Sequence, residues 1–218
     1  MEAASMDKSF WYDKWTNNEL GFHEPEVNPL FSDYFNTLNL KKNSRVFLPL
    51  CGKTLDIGWL LSNGYHVAGI ELYEPAIKQL FTEIELEPNI TNLNQLKHYS
   101  AKNIDIFVGD IFELSRDTLG SIDAVFDRGA LVALPEAIRP RYTSHVISIT
   151  NTAPQLLISY QYNQDMKDGP PFSISDKEIN THYSSNYEIS ILTNQDVTGE
   201  LANGISIQEQ VRHLKFKT

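Results

Sequence analysis

The stretch LPLCGKTLD (residues 48–56) sets one glycine in a tight turn between an apolar run and a helical one. Gly52 is the only residue there that lets the backbone turn without a Cβ clash. Glu71 ends the next apolar run about 20 residues later, the spacing at which an acid commonly accepts hydrogen bonds from ribose hydroxyls. A lone acid after a strand is often a solvated surface residue, and a lone turn is often only a connection. Together they favour ribose. Asp110 and Ile111 follow a third apolar run: the acid could accept from an adenine amino group while Ile111 packs on the ring, or they are a turn residue and its core neighbour. Asp127 and Arg128 follow a fourth. Arg128 could reach a ligand carboxylate or lock the surrounding loops, or the two form a structural ion pair.

A pyrophosphate ligand would call for G-x-G-x-x-G, which is absent. The phosphate-loop pattern fails as well, because Phe47 stands where its first glycine belongs. What remains is an adenosine-like ligand whose tail is not a pyrophosphate, a description that S-adenosylmethionine fits.

The elements that must position these residues alternate in period. Strands are expected over residues 45–50, 66–72, 104–108, 122–126 and 155–162, and helices from Thr54 or Asp56 through Leu61, from Pro75 through Leu80, and over 137–149 despite Pro140. Residues 85–96 read as a polar connection. A short helix capped by Ser175 or Asp176 precedes two alternating segments, YEISILTNQ and SIQEQVRHLKFK, which suit antiparallel edge strands. The expected fold is therefore α/β: a doubly wound, mostly parallel seven-stranded sheet of Rossmann-like type, with an antiparallel terminal strand. Residues 1–218 are expected to form one domain, with residues 1–6 as a flexible leader and 7–40 as an N-terminal helical lid segment. Such sheets bind ligands beyond the carboxyl ends of their strands, which brings the loops after Leu50, Glu71, Gly109 and Phe126 around one site.

Composition narrows the partners. The 218 residues carry a formal charge of -10, which argues against nucleic acid or an anionic membrane surface. Cys51 is the only cysteine, so no intrachain disulfide can form, and a packed thiol is its simplest role. There is no secretory-type apolar segment and no run of membrane-spanning length, so a cytoplasmic monomer is expected. The six histidines show no ligand spacing, and no metal is expected.

Five motifs, FWYDKWTNNELGFHEPEVNP, LPLCGKTLDIGWL, VAGIELYEPAI, FDRGALVALPEAIRPRY and DGPPFSI, resemble those of the thiopurine S-methyltransferases. The likeness is to the small bacterial type within the class I S-adenosylmethionine-dependent methyltransferases, and it runs from about Phe10 to the C-terminus. It implies S-adenosylmethionine as cofactor, contacted by Trp15, Leu50, Glu71 and Arg128, with Asp110 and Ile111 beside the adenine and Phe22 covering cofactor and acceptor. Phe172 is available to stack on a flat acceptor, although a bare DGPPF stretch would most often be a tight connection. The implied reaction is methyl transfer to the sulfur of aromatic or heterocyclic thiols such as thiopurines. Alternatives are small inorganic nucleophiles (halide, thiocyanate, sulfide, tellurium or selenium species) and a noncatalytic S-adenosylmethionine-binding module. A thiolate attacks in line without a dedicated base, and no catalytic residue is assigned; His23 reads more readily as a loop residue.

Overall fold

The central strands carry apolar side chains on both faces, so each must be covered twice. In the computed structural model, which describes residues 8–17, 19, 23–199 and 201–217, this double burial organises the chain. The expected leader, residues 1–6, lies outside the described residues. Helix α1 (Lys8–Thr16) comes first, then α2 (Pro29–Tyr34), continued by a 3-10 turn, Phe35–Leu38. Then follow β1 (Arg45–Pro49), α3 (Leu55–Ser62), β2 (His66–Glu71), α4 (Glu74–Glu83), β3 (Asn89–Leu93), β4 (Leu96–Ala101), β5 (Ile104–Val108) and α5 (Arg116–Leu119). The remainder is β6 (Ala124–Arg128), α6 (Arg139–Ile149), β7 (Gln155–Gln161), α7 (Asp176–Tyr183), β8 (Tyr187–Asp196) and β9 (Gln208–Phe216).

One sheet of nine strands runs in the order β3-β4-β5-β2-β1-β6-β7-β9-β8. The centre, β5-β2-β1-β6-β7, is parallel throughout, and antiparallel pairs flank it on both sides. Successive residues divide between two cores. Val46, Val67, Ile106, Ala124 and Leu156 meet α2, α3 and α4. Phe47, Ala68, Phe107, Val125 and Leu157 meet α5, α6 and α7. The period-two alternation of a strand thus serves both layers.

The α/β class is as expected, but the sheet has nine strands rather than seven. The extra pair is the hairpin β3–β4, in the segment read as a polar connection. All five residues of β3 are exposed, so no buried face left an alternating signature. Asn94, at φ +53°, takes the left-handed conformation in the tight turn between them. At the other side the last two segments form the expected antiparallel strands, β9 paired with β7 and β8 with β9. Helix α6 starts two residues later than expected and places Pro140 in its first turn, where no backbone donor is needed.

The β6–α6 connection is fixed by a buried acid. Asp127, 1% exposed, accepts from the Tyr142 hydroxyl at 2.6 Å and from Leu131 N at 3.1 Å. Burial pushes its carboxyl up to about 6, against the pull of those two bonds. Between the ordinary carboxylate range and about 6 the folded chain therefore keeps a proton that the unfolded chain loses, so stability falls as pH rises through that window. Two units correspond to about 3 kcal/mol. In denaturant titrations from pH 4 to pH 7, the wild type is expected to lose about that much relative to Asp127→Asn; parallel pH profiles for the two proteins would contradict the assignment.

Candidate functional site

The loops at the carboxyl ends of β1, β2, β6 and β7 surround a cavity of about 710 Å³. Beyond β1 the chain turns through two left-handed residues, Leu50 at φ +46° and Gly52 at φ +52°. For leucine that conformation is costly, and such strain concentrates at functional sites. What holds the turn is Glu71. Its Oε2 accepts from Gly52 N at 2.8 Å and its Oε1 from Tyr73 N at 2.9 Å, while Cys51 N donates to Ile70 O at 3.0 Å. Glu71 is 6% exposed, and burial pushes its carboxyl upward despite the bonds. A carboxylate offers about four acceptor positions. Two are used by the backbone, and the residue lines the cavity, so acceptor capacity remains for ligand hydroxyls.

Helix α1 lies over this turn. The Trp15 indole stacks on Tyr73 with centroids 5.5 Å apart, and a Cβ at Gly52 would meet it at 3.3 Å. Tyr12 donates to Leu72 O at 3.4 Å, and Lys8 pairs with Asp110 at 2.9 Å. Phe10, Trp11 and Lys14 complete that wall. Below, Asp56 accepts from Asn28 N at 2.9 Å and from the Thr54 hydroxyl at 2.8 Å, joining α2 to α3 at the rim.

The other half of the cavity belongs to β6, β7 and β9. Arg128, at the end of β6, pairs with Glu24 at 2.5 Å. Tyr160 on β7 and Glu209 on β9 face each other across the ladder, and both line the cavity. Gly169, Pro170 and Pro171 form one wall; Val197, Thr198 and Leu201, from the β8–β9 connection, form another. Lys167 spans these two walls by donating to Leu201 O at 2.8 Å. His23 also lines the cavity, and burial, with Lys53 nearby, keeps its imidazole below its ordinary pKa.

Of the residues singled out in the sequence, Trp15, Leu50, Glu71 and Arg128 line the one cavity. Asp110 and Ile111 do not: Asp110 is engaged by Lys8 and caps Phe112 N at 3.1 Å, and Ile111 is buried in the core. Phe172 is also set apart from the lining. Its ring packs where a Cβ on Gly169 would sit and lies 5.4 Å from the Arg139 guanidinium, while its N donates to Val132 O at 2.7 Å. Arg139 in turn grips both carboxylate oxygens of Glu178 at 2.9 Å and donates to Leu134 O at 2.8 Å. The prolines before Phe172 face the cavity in its place. Phe22 lies outside the described residues. Glu24, Lys167, Tyr160 and Glu209 escaped the sequence reading; for Tyr160 the available signal was its place at the end of a buried strand. Among the described residues, no group of three or more His, Cys, Asp or Glu could hold a metal ion.

Comparison with known proteins places this geometry. The family model for thiopurine S-methyltransferase matches residues 6–216. A thiopurine S-methyltransferase from Teredinibacter turnerae is 45% identical over 206 residues, covering 94% of this chain and 96% of the relative. That from Acinetobacter baylyi is 47% identical over 203 residues, covering 91% and 94%. Among solved structures, 1,6-didemethyltoxoflavin-N1-methyltransferase from Burkholderia thailandensis, with 1,6-didemethyltoxoflavin and S-adenosylhomocysteine bound, has a TM-score of 0.64 at 13% identity. It covers 95% of this chain and 87% of that one. A TehB-like S-adenosylmethionine-dependent methyltransferase from Corynebacterium glutamicum gives 0.57 at 10% identity, covering 96% and 98%. At such identities these structures speak to the fold alone. The sequence relatives carry more, and by them the chain belongs to the thiopurine S-methyltransferase family.

Proposed function

We propose that the chain transfers the methyl group of S-adenosylmethionine to the sulfur of aromatic or heterocyclic thiols, thiopurines among them. The observation that carries this reading is the buried Glu71 carboxylate, locked onto the Gly52 turn and lining a cavity whose loop lacks a phosphate cradle. That arrangement suits a ribose whose tail is not a pyrophosphate. Glu71 would hold the ribose, Leu50 and the Gly52 turn the cofactor's tail, and Trp15 its sulfonium side, where an aromatic face attracts cationic charge without offering a proton. Arg128 would anchor the loops and a carboxylate. Asp110 and Ile111 remain assigned to the adenine side, which requires that α1 shift and release Lys8 from Asp110. Phe22 and Phe172 remain assigned to the acceptor side, Phe172 through the proline wall that it supports.

When bound, S-adenosylmethionine supplies an electrophilic methyl group. The chain's own work is positioning: the β6, β7 and β9 half holds the acceptor sulfur, and α1 excludes water from above. Of the N-terminal segment expected as a lid on a single domain, residues 7–40, only helix α1 is placed to act as one; Leu30, Phe31, Phe35 and Leu38 are buried in the core instead. This reading puts ring acceptors ahead of halide, sulfide or oxyanions. Among the described residues no helix is long and apolar enough to cross a membrane. With a net charge of -10, we read the protein as a cytoplasmic monomer that acts on small molecules and has no nucleic-acid partner.

Calorimetric titration with S-adenosylmethionine and S-adenosylhomocysteine tests the cofactor assignment. Glu71→Gln leaves one of two backbone donors facing a carboxamide N–H, and its affinity for both ligands is expected to fall about 10- to 100-fold. A folded wild type that binds neither ligand would sink the proposal. Gly52→Ala adds a Cβ at positive φ against Trp15; it is expected to cost about 1 kcal/mol in denaturant unfolding and to weaken cofactor binding with it. An unchanged midpoint would show that the turn tolerates a side chain.

A further inference from the structure

The β6, β7 and β9 half of the cavity contains a polar pair to which the cofactor reading above gives no role. Tyr160 and Glu209 are directly opposed in the antiparallel β7–β9 ladder, so their side chains leave the same face of the sheet. Both side chains line the cavity, and Glu209 Oε2 accepts from Gln195 Nε2 at 3.3 Å. Acceptor positions remain. A phenol is protonated at neutral pH, and burial, with the Glu209 charge beside it, pushes that of Tyr160 up further, so it is available as a donor to the carboxylate opposite.

The charges nearby define what the pair can recognise. Arg128 and Glu24 both act on Tyr160 and are paired with each other at 2.5 Å, while the Lys167 ammonium is drawn to Leu201 O. Two carboxylates, Glu24 and Glu209, and two cations, Arg128 and Lys167, thus line this part of the cavity. The Glu209 carboxylate, which can only accept, favours a ligand that brings a hydrogen-bond donor to it. Heteroaromatic thiones, with a ring N–H beside C=S, present that donor next to the atom to be methylated.

We propose that Glu209, oriented by Tyr160, accepts the ring N–H of a heteroaromatic thione and takes its proton as the sulfur is methylated. This rests on the thiol-methyltransferase reading above. A sulfur lone pair forms the new S–CH3 bond, and the bond from methyl to the sulfonium breaks, leaving its electron pair on the departing thioether sulfur. The N–H pair becomes the ring C=N as C=S becomes C–S. The proton passes to Glu209 and then to water when product leaves. Without this transfer the immediate product would be a methylated, N-protonated cation. A thiophenol has no such proton and gains nothing from Glu209.

The test compares 2-thiopyridone, which carries the N–H, with 4-nitrothiophenol, which does not, in wild type, Glu209→Gln and Tyr160→Phe. Glu209→Gln is expected to lower the ratio of kcat/KM for 2-thiopyridone to that for 4-nitrothiophenol by about 10- to 100-fold. It should also weaken calorimetric binding of 2-thiopyridone to the S-adenosylhomocysteine complex by about tenfold, with affinity for S-adenosylhomocysteine retained. Tyr160→Phe should move the ratio the same way by less, and it decides the matter if Glu209→Gln does not fold. Equal losses on both acceptors would mean a structural role, and an unchanged ratio no role; either overturns the proposal. A wild type that binds S-adenosylhomocysteine but methylates only 4-nitrothiophenol overturns this inference alone, whereas one that binds no cofactor overturns the methyltransferase reading itself.

Discussion

The site depends on one carboxylate. Glu71 stands at the end of β2, yet its two oxygens take the N–H groups of Gly52 on the β1 turn and Tyr73 at the start of α4. Those amides lie beyond the strand ends and outside the ladder, and a buried unpaired donor costs about 1–3 kcal/mol. The acid answers that cost by entering the core itself, and desolvation raises its proton affinity. Two neighbouring strand ends, a strained leucine and the start of a helix thus share one fastening. The same group faces the ligand space.

From that fastening the site divides by strand. The β1–β2 half is stiff, bound by backbone hydrogen bonds and roofed by α1 through Trp15, Tyr12 and Lys8. The β6–β7–β9 half is defined by side chains: an ion pair, a tyrosine–glutamate pair and a wall of prolines. The stiff half suits a ligand of constant shape. The side-chain half can change with little disturbance to the sheet below it.

The legible parts were those whose cause is local. The Gly52 turn and Glu71 lie on adjacent strands joined by one helix, so spacing alone sets them together. The Ser175 cap was readable because its partner, Glu178 N, is three residues away. The hairpin β3–β4 was not, since β3 buries no side chain and leaves no periodic trace. Nor was the Tyr160–Glu209 pair, because the register between two distant strands is fixed by the whole sheet. The setting of Phe172 depends on Arg139 reaching Glu178, 39 residues on, to make a clamp beside it. A stacking platform read from DGPPF alone could not anticipate that clamp.

The two sheet margins carry a consequence for association between copies. Every interior strand is paired, so any further strand could add only at β3 or β8. Unpaired edges are templates for intermolecular pairing. β3 is only five residues long and mostly polar, Asn-Ile-Thr-Asn-Leu, following Glu85 and Glu87. β8 is longer, but its register slips between Ile191 and Thr193, and a bulge there twists the margin out of line with an incoming strand. Among the described residues one edge is short and the other irregular, two features that work against edge-to-edge pairing.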